Sequence, residues 1–494
     1  MRISKSSYMD GLRCSKLLYL SKHHPELASP ESASSRKRFE DGHRVGIEAH
    51  ALFPDSISVF GEWTADGKAL TNALKDTGNR LTAGAGCLLE ASFAVDDLYA
   101  RCDVIDRISE RGERDAWHLI EVKSSTKVKP EHIDDLAFQQ VVASNAGLAV
   151  EKTSLFHLNN EYVHSGGKYD AASLFTQQEV TQDVNESIPS VLPRLKAQRG
   201  VMAATECPEV ATGSHCNDPY PCPFYAHCHR EQHRHDINFL PSISRKKVAE
   251  LQARGIRTIG EVPEGEITAG QWRTWATVRR QVPPLDGNVW DALKGLAYPI
   301  HCLDFEAMLE ALPLYAGTRP YQKVPFQWSC HIIAQPGADP GHRDFLHTGA
   351  SDPRADFVKE LWDCVKDAGT IVVYSGFESQ ALADLARNGI DGADELYSHF
   401  QSHSLDLYRV LKANCYHSGF RGSWSLKTVV DTFGLKVNYE DSAIKDGEAA
   451  IIAYLRMLES EDQLERSNLE QSLRTYCGID TATMMALVRL LADV

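Results

Sequence analysis

The chain has 494 residues, 43% of them apolar, and carries a formal net charge of −15. That length predicts two or three domains, each large enough to bury a core unaided. The charge argues against a basic coat for duplex nucleic acid, and no apolar run approaches the length that crosses a bilayer. The start, Met1-Arg2-Ile3-Ser4-Lys5, has no apolar core behind its charges; cytoplasm is the expected compartment, with no membrane partner.

In chain order, the first chemistry-bearing elements are Cys14, in Asp10-Gly-Leu-Arg-Cys-Ser-Lys-Leu-Leu, and Gly46-x-x-x-His50 on a helical stretch. Three short apolar runs follow, each reading as a buried strand with a carboxylate on or beside it: Cys87-Leu-Leu-Glu90, Ala100-Arg-Cys-Asp103-Val-Ile-Asp106 and Leu119-Ile-Glu121-Val-Lys123. A carboxylate in such a place is costly unless it is paired or holds a cation. The two-residue period of a strand turns Glu121 and Lys123 to one face. Oxygen donors of this kind suit Mg2+ or Mn2+, the hard cations of phosphodiester hydrolysis. Downstream, Asp134-Asp-Leu-Ala-Phe-Gln139 reads as a helix.

Taken together, these motifs resemble the RecB-like branch of the PD-(D/E)XK nucleases. The resemblance implies that His50, Glu90, Asp103 and Glu121 are ligands of a first Mg/Mn site. It makes Glu121, Asp103 and Lys123 catalytic, with Gln139 contacting or positioning substrate. A Tyr common in that branch four residues after the Gln is Ala143 here.

Of the 12 cysteines most are scattered singly, as reduced thiols are, but Cys216, Cys222 and Cys228 share one proline-punctuated loop. RecB-like nucleases with an iron-sulfur cluster take one cysteine before the core and three after it. The resemblance therefore implies a 4Fe-4S cluster on Cys14, Cys216, Cys222 and Cys228. Zinc is the competing reading, with Cys207, His215, His227, His229 and His233 as substitute ligands.

Residues 236–290 read as a helical linker reminiscent of helix-hairpin-helix modules, with Arg245, Lys246 and Lys247 deciding whether it touches nucleic acid. Next, Tyr298-Pro-Ile-His-Cys-Leu-Asp304-Phe-Glu306 is an apolar strand with two carboxylates on one face. Gly369-Thr-Ile-Val-Val-Tyr-Ser-Gly-Phe-Glu378 reads as strand, turn and helix start; Ser404-Leu-Asp406, Ser425-Leu-Lys427 and Tyr476-Cys-Gly-Ile-Asp480 follow. On a helix Tyr476 and Asp480 share a face. This order resembles the DEDD (DnaQ/ribonuclease H-like) exonucleases. The resemblance implies a second Mg/Mn site on Asp304, Glu306, Glu378 and Asp480, with Tyr476 orienting water and Asp406 in reserve. At position 378 the family's usual Asp is Glu.

The expected architecture is α/β: a RecB-like, restriction-endonuclease-type domain over 1–235, the linker over 236–290, and a ribonuclease H-like mixed-sheet DEDD domain over 291–494. The expected function is metal-dependent hydrolysis of DNA, single strands or ends favoured and RNA not excluded, with a 3′–5′ exonuclease-like second site. Repair or defence against invading DNA, with a helicase or defence-system partner, would be its setting. The competing class is a nucleic-acid-binding or complex-forming scaffold with one or both sites silent.

Overall fold

The computed structural model describes residues 2–59, 68–111, 114–230, 232–435 and 443–492. The chain forms two compact units, Met1–Cys228 with Glu310–Tyr321, and His229–Leu309 with Gln322–Val494. The first runs β1 (Ile3–Ser4), α1 (Lys5–Arg13), α2 (Ser15–His23), α3 (Ala33–His50), β2 (Ile57–Ser58), α4 (Lys68–Thr82), β3 (Cys87–Val95), β4 (Leu98–Arg111), β5 (Arg114–Lys123), α5 (Pro130–Asn145), β6 (Val150–Leu158), α6 (Ala171–Leu174), β7 (Phe175–Glu179) and α7 (Thr181–Ala203), with α8 (Tyr225–His229) at its boundary. The second runs α9 (Arg245–Ala253), α10 (Ala269–Arg279), α11 (Gly287–Leu293), β8 (Ile300–Met308), β9 (Val324–Ile333), β10 (Gly341–Leu346), α12 (Arg354–Val365), β11 (Thr370–Val373), α13 (Phe377–Arg387), α14 (Ala393–His403), β12 (Ser404–Asp406), α15 (Leu407–Asn414), α16 (Leu426–Thr432), α17 (Gly447–Glu459) and α18 (Gln463–Ala492). Both sheets are mixed and flanked by helices, an α/β architecture. No helix among the described residues is long and apolar enough to cross a membrane.

In the first unit the sheet order is β2-β3-β4-β5-β6-β7, with β1 added to β4. Strands β3, β4 and β5 are antiparallel neighbours, while β6 joins β5 in parallel. Alternation along β5 sends Leu119 to a core shared with Tyr8, Leu136, Phe138 and Leu195. Ile120 goes to the opposite core with Val45, Ala49 and Phe156. Glu121 and Lys123 therefore lie on the face that α1 and α5 cover.

The same rule breaks at Glu90. Leu88 and Ala91 both enter the first core and Leu89 the second, because Glu90 has φ 60° and turns the strand over. A non-glycine residue in the left-handed region in mid-strand is strained and must be held by its surroundings. The excursion Glu310–Tyr321 completes this unit. Ala311 and Leu312 pack in the second core, Glu310 lies 2.9 Å from Lys37 and 3.6 Å from Arg44, and His164 donates its N–H to the Thr318 carbonyl at 2.9 Å.

In the second unit the order is β10-β9-β8-β11-β12. Only β9 runs against its neighbours; β8, β11 and β12 are parallel. Ile300 and Cys302 face a core with Leu407, Met484 and Leu487, and Leu303 and Phe305 face another with Phe357, Leu361 and Leu382. Asp304 and Glu306 continue the first of these rows, towards α18. The segment read from sequence as a linker does not stand apart: Phe239, Leu251, Trp275 and Val289 share that same core. Lys247 is engaged by Glu266 at 2.6 Å, and Arg254 by the same carboxylate at 2.9 Å.

Candidate functional site

Register assembles the first acidic set. Leu89 pairs with Val104 and Ala91 with Cys102, which sets Glu90 opposite Asp103; Val104 pairs with Ile120, so one step further Asp103 lies opposite Glu121. Three carboxylates thus form a row across three adjacent strands. A cleft of about 720 Å³ includes His50, Glu90, Asp103, Glu121 and Lys123 in its lining, together with the cations Arg38 and Arg101.

The hydrogen bonding in this row is uneven. Asp103 Oδ2 accepts from the Val122 amide at 2.8 Å. Glu121 Oε1 accepts from Lys123 at 2.6 Å and from Lys5 at 2.7 Å, and its Oε2 accepts from Gln139 at 2.8 Å. Lys123 also reaches Asp135 at 2.7 Å, and Gln139 donates to Asp135 at 2.9 Å. Burial would raise the Glu121 carboxyl, but the two ammonium groups overcome it and hold the group well below the carboxylate range. Burial lifts Asp103 to about 7, with the Glu121 charge reinforcing it. It also keeps His50 below the ordinary imidazole range, against the pull of Glu90.

Whether a hard cation fits can be read from Glu90 and Asp103. Arg101 Nε stands 2.8 Å from Glu90 Oε2, but that oxygen is buried without an aligned hydrogen bond. Asp103 is a desolvated acid that a cation would ionise. The donor set fits Mg2+ or Mn2+, with Glu121 already engaged by protein donors. Gln139 is fully buried and spans Glu121 and Asp135, so here it fixes β5 to α5. Sequence reasoning missed Lys5 and Asp135. Asp135 was findable, being four residues before Gln139 on one helix face.

The second acidic set comes from β8, α13 and α18. Asp304 and Glu306 project from the central strand; the turn through Ser375 (φ 149°) and Gly376 places Glu378 in the first turn of α13. Tyr476 and Asp480 lie on α18. The acids sit close enough to disturb one another. Asp304 and Glu306 are both pushed well above the carboxylate range, by burial first and then by the Asp480 and Glu378 charges. Burial raises Glu378 to about 8, with Asp406 adding to it, and Tyr476 is raised by burial and by Asp480.

One buried oxygen of Glu378, Oε2, has no hydrogen-bond partner, and ligand atoms of Asp304, Glu306 and Cys477 lie within 4.8 Å of one another. Crowded, desolvated carboxylates with an orphan oxygen suit a hard divalent cation. Asp406 is a helix cap instead: it accepts from the Arg409 amide at 3.2 Å and pairs with that side chain at 3.1 Å. Lys427 Nζ stands 5.1 Å from the centre of the Tyr476 ring and donates to the Lys445 carbonyl at 2.6 Å. The sequence did not single out Cys477 or Asp446 for the site, although Asp446 faces Glu306 closely enough to raise it.

Cys14, Cys216, Cys222 and Cys228 line one small pocket with Leu17, Leu20 and Phe224. Burial raises the Cys222 and Cys228 thiols, and the other two cysteines add to it in both cases. Backbone carbonyls brace the pocket, Arg13 donating to that of His215 at 2.8 Å and the Cys222 amide to that of Cys216 at 2.7 Å. Four convergent sulfurs suit an iron-sulfur cluster or zinc. His215 also lines the pocket, whereas Cys207 is exposed.

Comparison with known proteins adds one family. The model for a domain of unknown function (DUF2779) matches residues 301–425, a segment that holds Asp304, Glu306, Glu378 and Asp406 but ends before Tyr476 and Asp480. No curated protein matches the chain.

Proposed function

We propose that the protein is a metal-dependent nuclease acting on DNA, single strands or ends above all, with a RecB-like site in the first unit and a DEDD-type 3′–5′ exonuclease site in the second. The observation that carries this reading is the second set: Asp304, Glu306, Glu378 and Asp480 crowd one buried centre, and the acids raise one another there. The mixed five-stranded sheet with its acids on the central strand is what a ribonuclease H-like domain leads one to expect. Bound Mg2+ or Mn2+ would neutralise the phosphate and activate water. Asp304, Glu306, Glu378 and Asp480 would hold it there; Tyr476, one helical turn before Asp480, orients the attacking water. In the first unit Glu90, Asp103 and His50 offer ligands, and Lys123 presents an ammonium to the scissile phosphate. Lys5 and Gln139 keep Glu121 and Lys123 in register. The 4Fe-4S cluster on Cys14, Cys216, Cys222 and Cys228 is a structural staple, which brown colour, iron and sulfide in anaerobically purified protein would distinguish from zinc.

A second reading, that the first site is silent and its unit binds or scaffolds, is favoured by one observation: both oxygens of Glu121 are engaged by Lys5, Lys123 and Gln139. One experiment separates the two. End-labelled single- and double-stranded DNA and RNA are incubated with Mg2+ or Mn2+ and the wild type, Lys123→Ala, Asp304→Ala or the double variant. Each single substitution is expected to remove one component of cleavage by at least about 10²-fold. Cleavage lost only with Asp304→Ala assigns the chemistry to the second unit; cleavage indifferent to all three variants sinks the enzyme reading.

A further inference from the structure

Three residues outside both acidic sets come together inside the second unit. His301 lies on β8, Cys330 on β9 and Cys364 on α12. All three are buried, at 4%, 0% and 6% exposure, and their ligand atoms lie within 4.8 Å of one another. In sequence they are singletons, separated by about thirty residues each, so no spacing motif announces them. The fold makes them neighbours. Leu303 pairs with Cys330 and His301 with Ile332, which puts His301 and Cys330 diagonally on one sheet face. Cys364 descends onto that face from α12, within the core of Phe357, Leu361 and Phe400.

The geometry points to a structural zinc site on His301, Cys330 and Cys364. Two thiolates and an imidazole are soft and borderline donors that suit tetrahedral Zn2+ and are poorly matched to Mg2+. The imidazole is held by the backbone: His301 Nδ1 stands 3.3 Å from the Pro299 carbonyl oxygen, the contact that commonly fixes a metal-bound histidine, and the Cys364 backbone also bonds the ring, a contact that a metal on Nε2 would replace. A cation beside the sulfurs favours their thiolate form, and Arg343 is the residue paired with Cys330 across the β9–β10 ladder. It is held there by its Nη1 donating to the Asp363 carbonyl at 2.9 Å, one residue before Cys364. Among the described residues no further histidine, cysteine or carboxylate joins this cluster, so the fourth position falls to a water. Such an ion would tie α12 to the two central antiparallel strands. It owes nothing to the nuclease reading or to the four-cysteine pocket of the first unit.

The test is metal analysis of the full-length chain purified anaerobically and loaded with Zn2+, followed by Co2+ substitution. Cys364→Ala is expected to lose one equivalent of zinc per chain with iron and sulfide unchanged, and to lose thiolate-to-Co2+ charge-transfer absorption. Cys364→His, which restores a donor, is expected to keep the zinc, and so covers the case in which Cys364→Ala does not fold. Equal zinc in wild type and Cys364→Ala overturns the proposal. So does zinc that disappears only when Cys14, Cys216, Cys222 and Cys228 are replaced. An intact mass lower by two hydrogens that maps to a Cys330–Cys364 disulfide overturns it as well.

Discussion

In the first unit Glu121 has two ammonium groups within 2.7 Å and an amide on its other oxygen. In the second, Asp304 and Glu306 are raised by burial and then by the Asp480 and Glu378 charges, with Lys427 opposing at Glu306. Burial is comparable, yet Glu121 is driven down while Asp103 beside it and Asp304, Glu306 and Glu378 in the second unit are driven up. Desolvation alone therefore does not decide the charge of a buried acid; the sign of its neighbours does. In the first arrangement lysines of the protein hold Glu121 ionised; in the second, Lys427 and Lys323 act on Glu306 and Glu378 but do not overcome burial and the neighbouring acids. Metal should be a modest contributor to the stability of the first unit and a large one to that of the second.

The strongest way to break this contrast is to remove Glu121. In EDTA, Glu121→Gln leaves Lys5 and Lys123 partly unmatched in a buried site and is expected to cost about 3–5 kcal/mol, read as a shift of the first unit's unfolding transition in denaturant. An unchanged midpoint would mean that the lysines are not what holds this acid. Acid is the next lever. Burial holds His118 and His132 of the first unit down at about 4, against an ordinary value of about 6.5. Between those values the unfolded chain binds the protons and the folded chain does not, so stability falls as the pH drops from about 6.5 to 4. Each histidine is expected to contribute about 2–3 kcal/mol to that loss, and His118→Gln should flatten the slope by its share.

Asp304→Asn should act in the opposite sense to Glu121→Gln. Removing one of these crowded, desolvated acids is expected to raise metal-free stability by about 1–2 kcal/mol and to abolish any stabilisation by added Mn2+. A destabilised Asp304→Asn in EDTA would show that the acids of the second unit are compensated after all. The smallest effect belongs to Asp406→Ala. Losing a helix cap costs about 1 kcal/mol, with cleavage within a few-fold of wild type; a hundred-fold loss of cleavage would move Asp406 into the metal site.

What could be read in advance was whatever depends on local period. Glu121 and Lys123 share a face because a strand repeats every two residues, and Tyr476 and Asp480 because a helix repeats every 3.6. Cysteines six residues apart in a proline-rich loop are equally local. Contacts set by topology were not legible. Lys5 meets Glu121 across 116 positions, and nothing around Lys5 distinguishes it from a surface lysine. Cys330, Cys364 and Cys477 read as scattered thiols, yet two meet a histidine and the third meets Asp304 at 3.7 Å. The left-handed turn at Glu90 was hidden for another reason: the run Leu88-Leu89-Glu90-Ala91 gives no glycine to mark it.

The twelve residues Glu310–Tyr321 leave the second unit's sequence to complete the first. Neither unit is a continuous stretch of chain, and the polypeptide passes between them three times. A fragment ending at Cys228 would leave Lys37 and Arg44 with Asp41 but without Glu310 and uncover the apolar surface beneath Ala311 and Leu312, at a cost of about 2–4 kcal/mol. A fragment starting at His229 would carry a loop whose buried Glu310 has lost its cations. Dividing this protein at the apparent linker would therefore damage both halves. The two candidate chemistries are better separated by point substitutions in the intact chain than by truncation.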